Sequence, residues 1–405
     1  MIKTITGGVC APMGFRAAGI HCGVRKNKSK RDLALIVSDT MCSAAAVYTT
    51  NLVKGAPIAV TKANIADGRA QAVICNSGNA NTCNADGVEV AEKMCALVTE
   101  KTGIPATDVV VASTGVIGQP LDIRPIADGM DALVADLSTD GSQHAAEAIM
   151  TTDVAMKEIA VEFTVGGKTC KMGGIAKGSG MIHPNLATML VFITTDAAIS
   201  PEMLNTLLKA DVQDSFNMVS IDGDTSTNDT VAVLANGMAG NALITEDGED
   251  CRAFAEALAA VTTYLCRCIA KDGEGASKLL ECRVTGAKDK AAAKATAKAV
   301  VCSSLTKAAM FGADANWGRV LCAIGYSGAD VDVNKIDLKF VSCKGEVLVC
   351  KDGAGVPFSE EIAKEILLED EIVIDVSLND GTEAAAAFGC DLTYDYVKIN
   401  GDYRT

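Results

Sequence analysis

In the first third of the chain, short runs of mostly apolar or β-branched residues alternate with turn formers, the pattern of strands bounded by loops. After a loop at Gly8–Arg16, Ala17 to Val24 reads as a short strand. Asp32 to Ser38, Ala44 to Thr49, Ile58 to Thr61 and Gln71 to Cys75 read as further strands. The polar loop Asn76-Ser-Gly-Asn-Ala-Asn-Thr-Cys-Asn84 then leads into Ala85 to Thr99, where Val88, Val90, Ala91, Met94 and Val98 fall on or near one stripe of a helix. A strand beginning at Val109 ends in the small-residue turn Ser113-Thr114-Gly115. Between Lys157 and Met172, alternation on both sides of Gly166-Gly167 predicts a hairpin. Farther on, Met189-Leu-Val-Phe-Ile-Thr194 has the continuous apolar and β-branched character of a buried strand.

The second half carries longer helical patterns. Ser200-Pro201-Glu202 is a helix start, with a capping hydroxyl, a proline in the first turn and an acid at the positive helix end, leading into Met203 to Lys209. Helices are also expected over Glu249 to Ala270 and Lys288 to Val301, with strands flanking them. The last residues, Tyr396 to Thr405, read as a docked, strand-like segment.

At 405 residues the chain is too long for one core, so two α/β domains are expected, 1–198 and 199–405. A net charge of -15 argues against nucleic-acid and anionic-membrane partners and leaves small molecules. The sixteen cysteines occur without a secretory leader at Met1-Ile-Lys-Thr and without an apolar run long enough to cross a bilayer, which predicts a cytoplasmic protein with reduced thiols. No Cys-x-x-Cys pair exists and only three histidines are present, so neither His21-Cys22 nor Cys266-Arg-Cys268 makes a metal site. The acidic loop Asp222-Gly-Asp-Thr-Ser-Thr-Asn-Asp229 fails the calcium pattern, having Thr227 at the sixth position and Val233 at the twelfth. No cofactor is expected.

Candidate chemistry concentrates between Lys177 and Asp196. A glycine-rich turn (Gly178, Gly180) passes Pro184 and enters the apolar strand at Thr188. A threonine hydroxyl is a weak nucleophile unless a base takes its proton, and an N-terminal threonine carries its own base, an α-amine titrating near ~8.

The string Lys177-Gly-Ser-Gly-Met-Ile-His-Pro-Asn-Leu-Ala-Thr-Met-Leu190, followed by Ile193-Thr-Thr-Asp-Ala197, resembles the self-cleavage segment of the ornithine acetyltransferases, the glutamate N-acetyltransferases of arginine biosynthesis. The resemblance runs from Gly8 to Thr405 and includes Asn76–Asn81, Met150-Thr-Thr-Asp153, the Asp222–Asp229 loop, Asp272-Gly-Glu-Gly275, Asp314–Arg319 and the C-terminal Ile399-Asn-Gly-Asp-Tyr-Arg-Thr405, where Gly401 replaces the family's alanine. It implies an α/β fold with sheets sandwiched between helices, and autocatalytic cleavage of the Ala187–Thr188 bond. The products would be an α chain, 1–187, and a β chain, 188–405, assembled as a heterotetramer with two copies of each. By the same resemblance Thr188 would become the nucleophile, and Thr114 with the Gly115 amide would form the oxyanion hole. Substrate would be held by Thr151 (Thr152 is the alternative), Lys177, Glu274, Asn400 and Thr405. The implied reaction moves acetyl from N-acetylornithine to glutamate through an acetyl-Thr188 ester. The sequence leaves open whether acetyl-CoA is a second donor. A self-processed aminopeptidase or amidase, with water as acceptor, is the rival enzyme; a structural protein that never cleaves is the other.

Overall fold

The structure, a computed structural model, describes residues 2–183 and 189–402. In chain order its elements are β1 (Lys3–Ile5), β2 (Phe15–Ile20), β3 (Leu33–Tyr48), α1 (Ala56–Asn64), β4 (Arg69–Asn76), α2 (Gly87–Thr102), β5 (Val109–Ser113), α3 (Arg124–Ala135), α4 (Ser142–Ile149), β6 (Lys157–Val165), β7 (Lys168–Lys177) and β8 (Leu190–Thr195). There follow α5 (Pro201–Asp214), β9 (Val219–Ser220), β10 (Thr230–Ala235), α6 (Glu249–Lys271), β11 (Leu279–Ala287), α7 (Lys290–Cys302), α8 (Ser304–Phe311) and α9 (Trp317–Gly325). The chain closes with β12 (Asp337–Ser342), β13 (Gly345–Lys351), β14 (Ala354–Gly355), α10 (Glu360–Leu367), β15 (Glu371–Ser377), β16 (Glu383–Cys390) and α11 (Tyr394–Asp402).

Two mixed sheets result. The first runs β1-β6-β7-β8-β10-β3-β4-β5, with β2 also on β3; the second runs β14-β13-β12-β15-β11-β16-β9. Helices cover both faces of the first. Ala145, Ala146, Ala148 and Ile149 of α4 pack with Ile36 and Phe192 on one face. On the other, α2 and α3 cover one end of the sheet and α5 and α6 cover the rest. The second sheet rests one face on α7 to α10, while Leu279, Phe388 and Cys390 meet the core around α6. This is the α/β architecture of sheets between helices that the sequence implied. Helix α6 is long and apolar enough to cross a membrane by length and composition. Its apolar residues are instead buried in the core that the two sheets share.

Several expected elements hold. Ser200 Oγ accepts the Met203 N–H at 3.2 Å and starts α5. The β6–β7 hairpin turns on Gly166 and Gly167, whose φ of 54° and 74° both lie in the left-handed region that a two-residue turn demands. Others differ. Asp32 to Ser38 and Ala44 to Thr49 are parts of one strand, β3, whose pairing with β4 shifts register between Val37 and Cys42; the polar break is a bulge, not a turn. Ile58 to Thr61 is helical, inside α1, behind a proline in the first turn. There Thr61 Oγ1 donates to the Val111 carbonyl at 2.7 Å and accepts the Val111 N–H at 2.9 Å, satisfying the outer edge of β5 that a further strand would otherwise have to pair. The C-terminal segment is a helix, α11, not a strand, because Tyr396, Ile399 and Asn400 recur at helical spacing; Asn400 bonds to Glu274.

Strand β10, from the second half of the chain, pairs with β8 in parallel and with β3 antiparallel. The two sheets therefore do not part company at 198/199. Phe254 of α6 is fully buried and stands edge-on to Phe163 of β6, with ring centroids 6.2 Å apart. Phe254→Ala should cost about 3–5 kcal/mol, read as a lowered midpoint in chemical denaturation.

Candidate active site

Between β7 and β8 the chain leaves the sheet with no ladder to satisfy its amides, and carboxylates take over. Gly178 N–H donates to Asp153 Oδ1 at 2.8 Å. Met181 and Ile182 N–H donate to the two oxygens of Asp222 at 2.6 and 2.9 Å. Ser179 ties in through its hydroxyl to the Asp272 carbonyl at 2.6 Å and through its carbonyl to the Glu274 N–H at 2.9 Å. Beyond the segment, Thr225 Oγ1 donates to the His183 carbonyl at 2.8 Å, and Thr230 N–H to the Met189 carbonyl at 2.9 Å. The Asp222–Asp229 loop, which the sequence left without a role, thus holds the chain before the expected cleavage point, and Thr230, the first residue of β10, holds it after. Ala187 and Thr188, and also Thr405, lie outside the described residues.

Beneath this segment sits a buried ionic triad. Lys157 Nζ donates to Asp153 Oδ1 at 2.6 Å and to Asp272 Oδ2 at 2.5 Å, with all three side chains at most 4 % exposed. Asp153 also accepts the Thr151 N–H at 2.9 Å, and Asp272 accepts the Val154 and Ala155 amides. Burial alone would raise the Asp153 carboxyl, but the charges of Lys157 and Lys177 outweigh it and hold that carboxyl well below the usual range. For Lys157, burial disfavours the cation, and the two aspartates reverse the effect, so its ammonium binds its proton more tightly than an exposed lysine.

Glu274 follows Asp272 on the same turn. Its residue is only 9 % exposed, and Asn400 Nδ2 donates to Oε2 at 2.7 Å. The carboxylate packs directly on Gly180, where a Cβ would lie 2.4 Å from Glu274 Cδ. Among the described residues no Lys, Arg or His forms an ion pair with it. Tyr396 of α11 stands nearby; burial first, then the charges of Asp222 and Glu274, push its phenol far above the usual value.

The other wall comes from β4 and β5. Thr114 N–H donates to the Asn76 carbonyl at 2.9 Å, and Asn76 Nδ2 donates to Ser113 Oγ at 2.7 Å. Gly115 has φ 127° and lies so close to the Asn76–Asn81 loop that a Cβ would sit 2.8 Å from Asn79 N. Asn228 joins this wall to the rest: its Nδ2 donates to the Ala80 and Ser113 carbonyls at 2.5 and 2.9 Å, while Oδ1 accepts from Thr82 and Thr227 hydroxyls.

The structure therefore gathers Thr151, Lys177, Glu274 and Asn400 around Gly178–Gly180, and one loop links Thr114–Gly115 to the same segment. Sequence reasoning missed Asp153, Lys157, Asp222, Asp272, Asn228 and Tyr396. A signal existed for some: Asp153 and Asp272 close or open the very motifs in which Thr151 and Glu274 were picked out, and Lys157 follows Asp153 by four residues. Asn228 and Tyr396 carried none that set them apart from turn or surface residues. No group of three or more His, Cys, Asp or Glu that could hold a metal occurs among the described residues.

A model of the ArgJ family matches residues 16–405. The chain belongs to the ArgJ family. It is 49 % identical over 405 residues to the arginine biosynthesis bifunctional protein ArgJ of Caldanaerobacter subterraneus subsp. tengcongensis, with both chains fully covered. It is 51 % identical over 406 residues to the protein of that name from Symbiobacterium thermophilum, again with both fully covered. Among solved structures, ArgJ from Bacillus halodurans is 45 % identical with a TM-score of 0.50; the match covers 53 % of this chain and 98 % of that one. Membership in the ArgJ family makes this chain an acyltransferase of arginine biosynthesis.

The triad is the site's structural anchor, and removing its cation leaves two carboxylates buried side by side. Lys157→Met should therefore lower stability by about 3–5 kcal/mol, measured by denaturant titration, although the substitution keeps the length and apolar stem of the side chain.

Proposed function

We propose that the chain transfers an acetyl group from N-acetylornithine to glutamate, using Thr188 as an N-terminal nucleophile freed by cleavage of the Ala187–Thr188 bond. The observation that carries the reading is Glu274. A buried carboxylate without a cation is costly, and an ornithine side-chain ammonium, seated between Glu274 and Asn400, supplies the missing charge.

In this mechanism Thr188 Oγ attacks the acetyl carbonyl and its own α-amine takes the hydroxyl proton. The negative oxygen of the tetrahedral intermediate is held by the Thr114 hydroxyl and the Gly115 amide, each such donor contributing roughly 3 kcal/mol. The bond from carbonyl carbon to nitrogen then breaks, the proton passes from the amine to the departing nitrogen, and ornithine leaves an acetyl-Thr188 ester. The amine of glutamate attacks that ester and carries the acetyl group away, a ping-pong cycle that needs no cofactor. Lys177 attracts the substrate carboxylate. Thr151, Asn400 and Thr405 complete the substrate contacts. The word bifunctional in the relatives' name supports a second activity, for which acetyl-CoA is the fitting donor. Cleavage leaves 188–405, just over half the chain. In keeping with that, the Bacillus halodurans chain is 98 % covered yet spans only 53 % of this one. Two copies of each piece form a heterotetramer in the cytoplasm.

The cut is tested by mass. The wild type should yield pieces of 1–187 and 188–405, while Thr188→Ala, lacking both the hydroxyl and the means to free the amine, should stay whole and inactive; complete cleavage of that variant would refute the assignment. The pocket is tested by separating the half-reactions. Glu274→Gln should weaken acetyl donation by N-acetylornithine by about 2–5 kcal/mol, roughly thirty-fold to several thousand-fold, and affect acetyl acceptance by glutamate far less. Equal losses would assign Glu274 to the fold.

A further inference from the structure

Arg25, Lys26, Lys28, Lys30 and Arg31 put five cations and no acid into seven residues of a chain whose net charge is -15. The segment is the loop between β2 and β3, and its base is fixed: the fully buried Asp32 carboxylate accepts the Cys22, Gly23 and Arg25 amides at 2.6, 3.2 and 2.8 Å. Lys26, Lys28 and Lys30 are exposed above that base. Glu147 pairs with Arg31 at 2.9 Å, and among the described residues no acid forms an ion pair with the three lysines. On a protein that otherwise repels anions, such a concentration of positive charge draws a multiply charged anion to one place.

The loop backs onto the candidate active site. Arg25 Nε donates to the Ser77 carbonyl at 2.9 Å, and its Nη2 donates to the Ser77 and Met150 carbonyls. Met150 immediately precedes Thr151. Val24 packs on Gly78, where a Cβ would lie 2.5 Å from Val24 Cγ1, and a Cβ on Gly115 would lie 2.8 Å from the Gly78 carbonyl carbon. Val24 at the start of the basic loop and Gly115 of the oxyanion pair thus press on the same residue. Arg25 and Lys177 also share a neighbour: burial pushes the Cys75 thiol up to about 12, and both cations act against that rise, which places the two of them around the end of β4.

In the proposed cycle Lys177 already answers for the carboxylate of an amino-acid substrate, so the loop is left for a different anion. Acetyl-CoA has the matching form. Its pyrophosphate and 3′-phosphate are multiply charged, and its flexible pantetheine arm carries the acetyl group well away from them. We propose that the Arg25–Arg31 loop docks the phosphates of acetyl-CoA, with Lys28 and Lys30 as their counter-charges, while the arm passes beside Ser77–Gly78 and brings the acetyl group to Thr114 and Gly115. This rests on acetyl-CoA being the second donor. A lysine ammonium serves here as a point charge. In the donor step the bond from carbonyl carbon to sulfur breaks, and CoA leaves as a thiol with the proton that the ornithine nitrogen takes in the other donor. N-acetylornithine carries no phosphate and makes no use of the loop.

The test uses the full chain with Lys28→Glu and Lys30→Glu combined, both at exposed positions. KM for acetyl-CoA should rise about 10-fold with kcat little changed, while kcat and KM for N-acetylornithine in the same preparation stay at the wild-type values and show that the variant is folded. With the wild type, S-acetylpantetheine, which lacks the phosphates, should show the raised KM. Added salt should raise the wild-type KM for acetyl-CoA and leave that for S-acetylpantetheine unchanged. A variant with the wild-type KM for acetyl-CoA, or one in which both donors lose alike, overturns the proposal. A wild type that takes acetyl from N-acetylornithine and none from acetyl-CoA overturns the second-donor reading beneath it, a separate outcome.

Discussion

Irregular backbone cannot be buried in a protein unless something replaces the ladder of hydrogen bonds it has left. Between β7 and β8 that replacement is a set of aspartate side chains. Asp153 takes the amide of Gly178, and Asp222 takes those of Met181 and Ile182. Asp272 offers its carbonyl to Ser179 and its side chain to Val154 and Ala155. Carboxylates suit the task because each can accept several N–H groups at once, but burying them demands a cation, and Lys157 answers for two of the three. The position of every neighbouring substrate candidate follows. Thr151 is set by Asp153, and Glu274 is set by the turn that Asp272 opens.

The same economy governs how the two sheets share one site. Strand β10 is contributed to the first sheet by the second half of the chain, and it emerges from the Asp222–Asp229 loop. Because β10 runs parallel to β8 and starts level with it, that loop is delivered to the point where β8 begins, and its Asn228 touches the Asn76–Asn81 and Ser113–Gly115 turns that follow β4 and β5. Asn228 uses both ends of its amide to close the gap. Helix α6 then carries the Asp272–Gly275 turn at its C-terminal end, so the core packing of α6 fixes the height of Glu274 above Gly180.

Small residues make these approaches possible. Gly115 and Gly180 sit where any Cβ would overlap a neighbouring backbone or the Glu274 carboxyl, and α4 reaches its face of the sheet through alanines. A chain with 4 % aromatic residues and 37 glycines gains its packing density from closeness of backbone more than from large side chains. Phe163, Phe192 and Phe254 fill the exceptions at the centre of the layers.

The sequence by itself determined the elements whose signals are local. The Ser200 cap, the Gly166-Gly167 turn, the apolar run of β8 and the amphipathic period of α2 and α6 are each legible within a dozen residues, because capping, turn geometry and burial of one face act at that range. The motif strings likewise singled out Thr114, Thr151, Lys177 and Glu274. Tertiary structure decided what local pattern leaves degenerate. Ile58–Thr61 and the final segment are helical where short apolar runs read as strand, and in the fold Thr61 bonds to the edge of β5 and Asn400 to Glu274. It also decided which acids matter. Asp153, Asp222 and Asp272 are three of 51 acidic residues in the chain; only folding brings Asp272 to Lys157, Asp222 to the Met181 and Ile182 amides and Asp153 to the Gly178 amide, since a hydrogen bond depends on distance in space and the chain order carries no record of it.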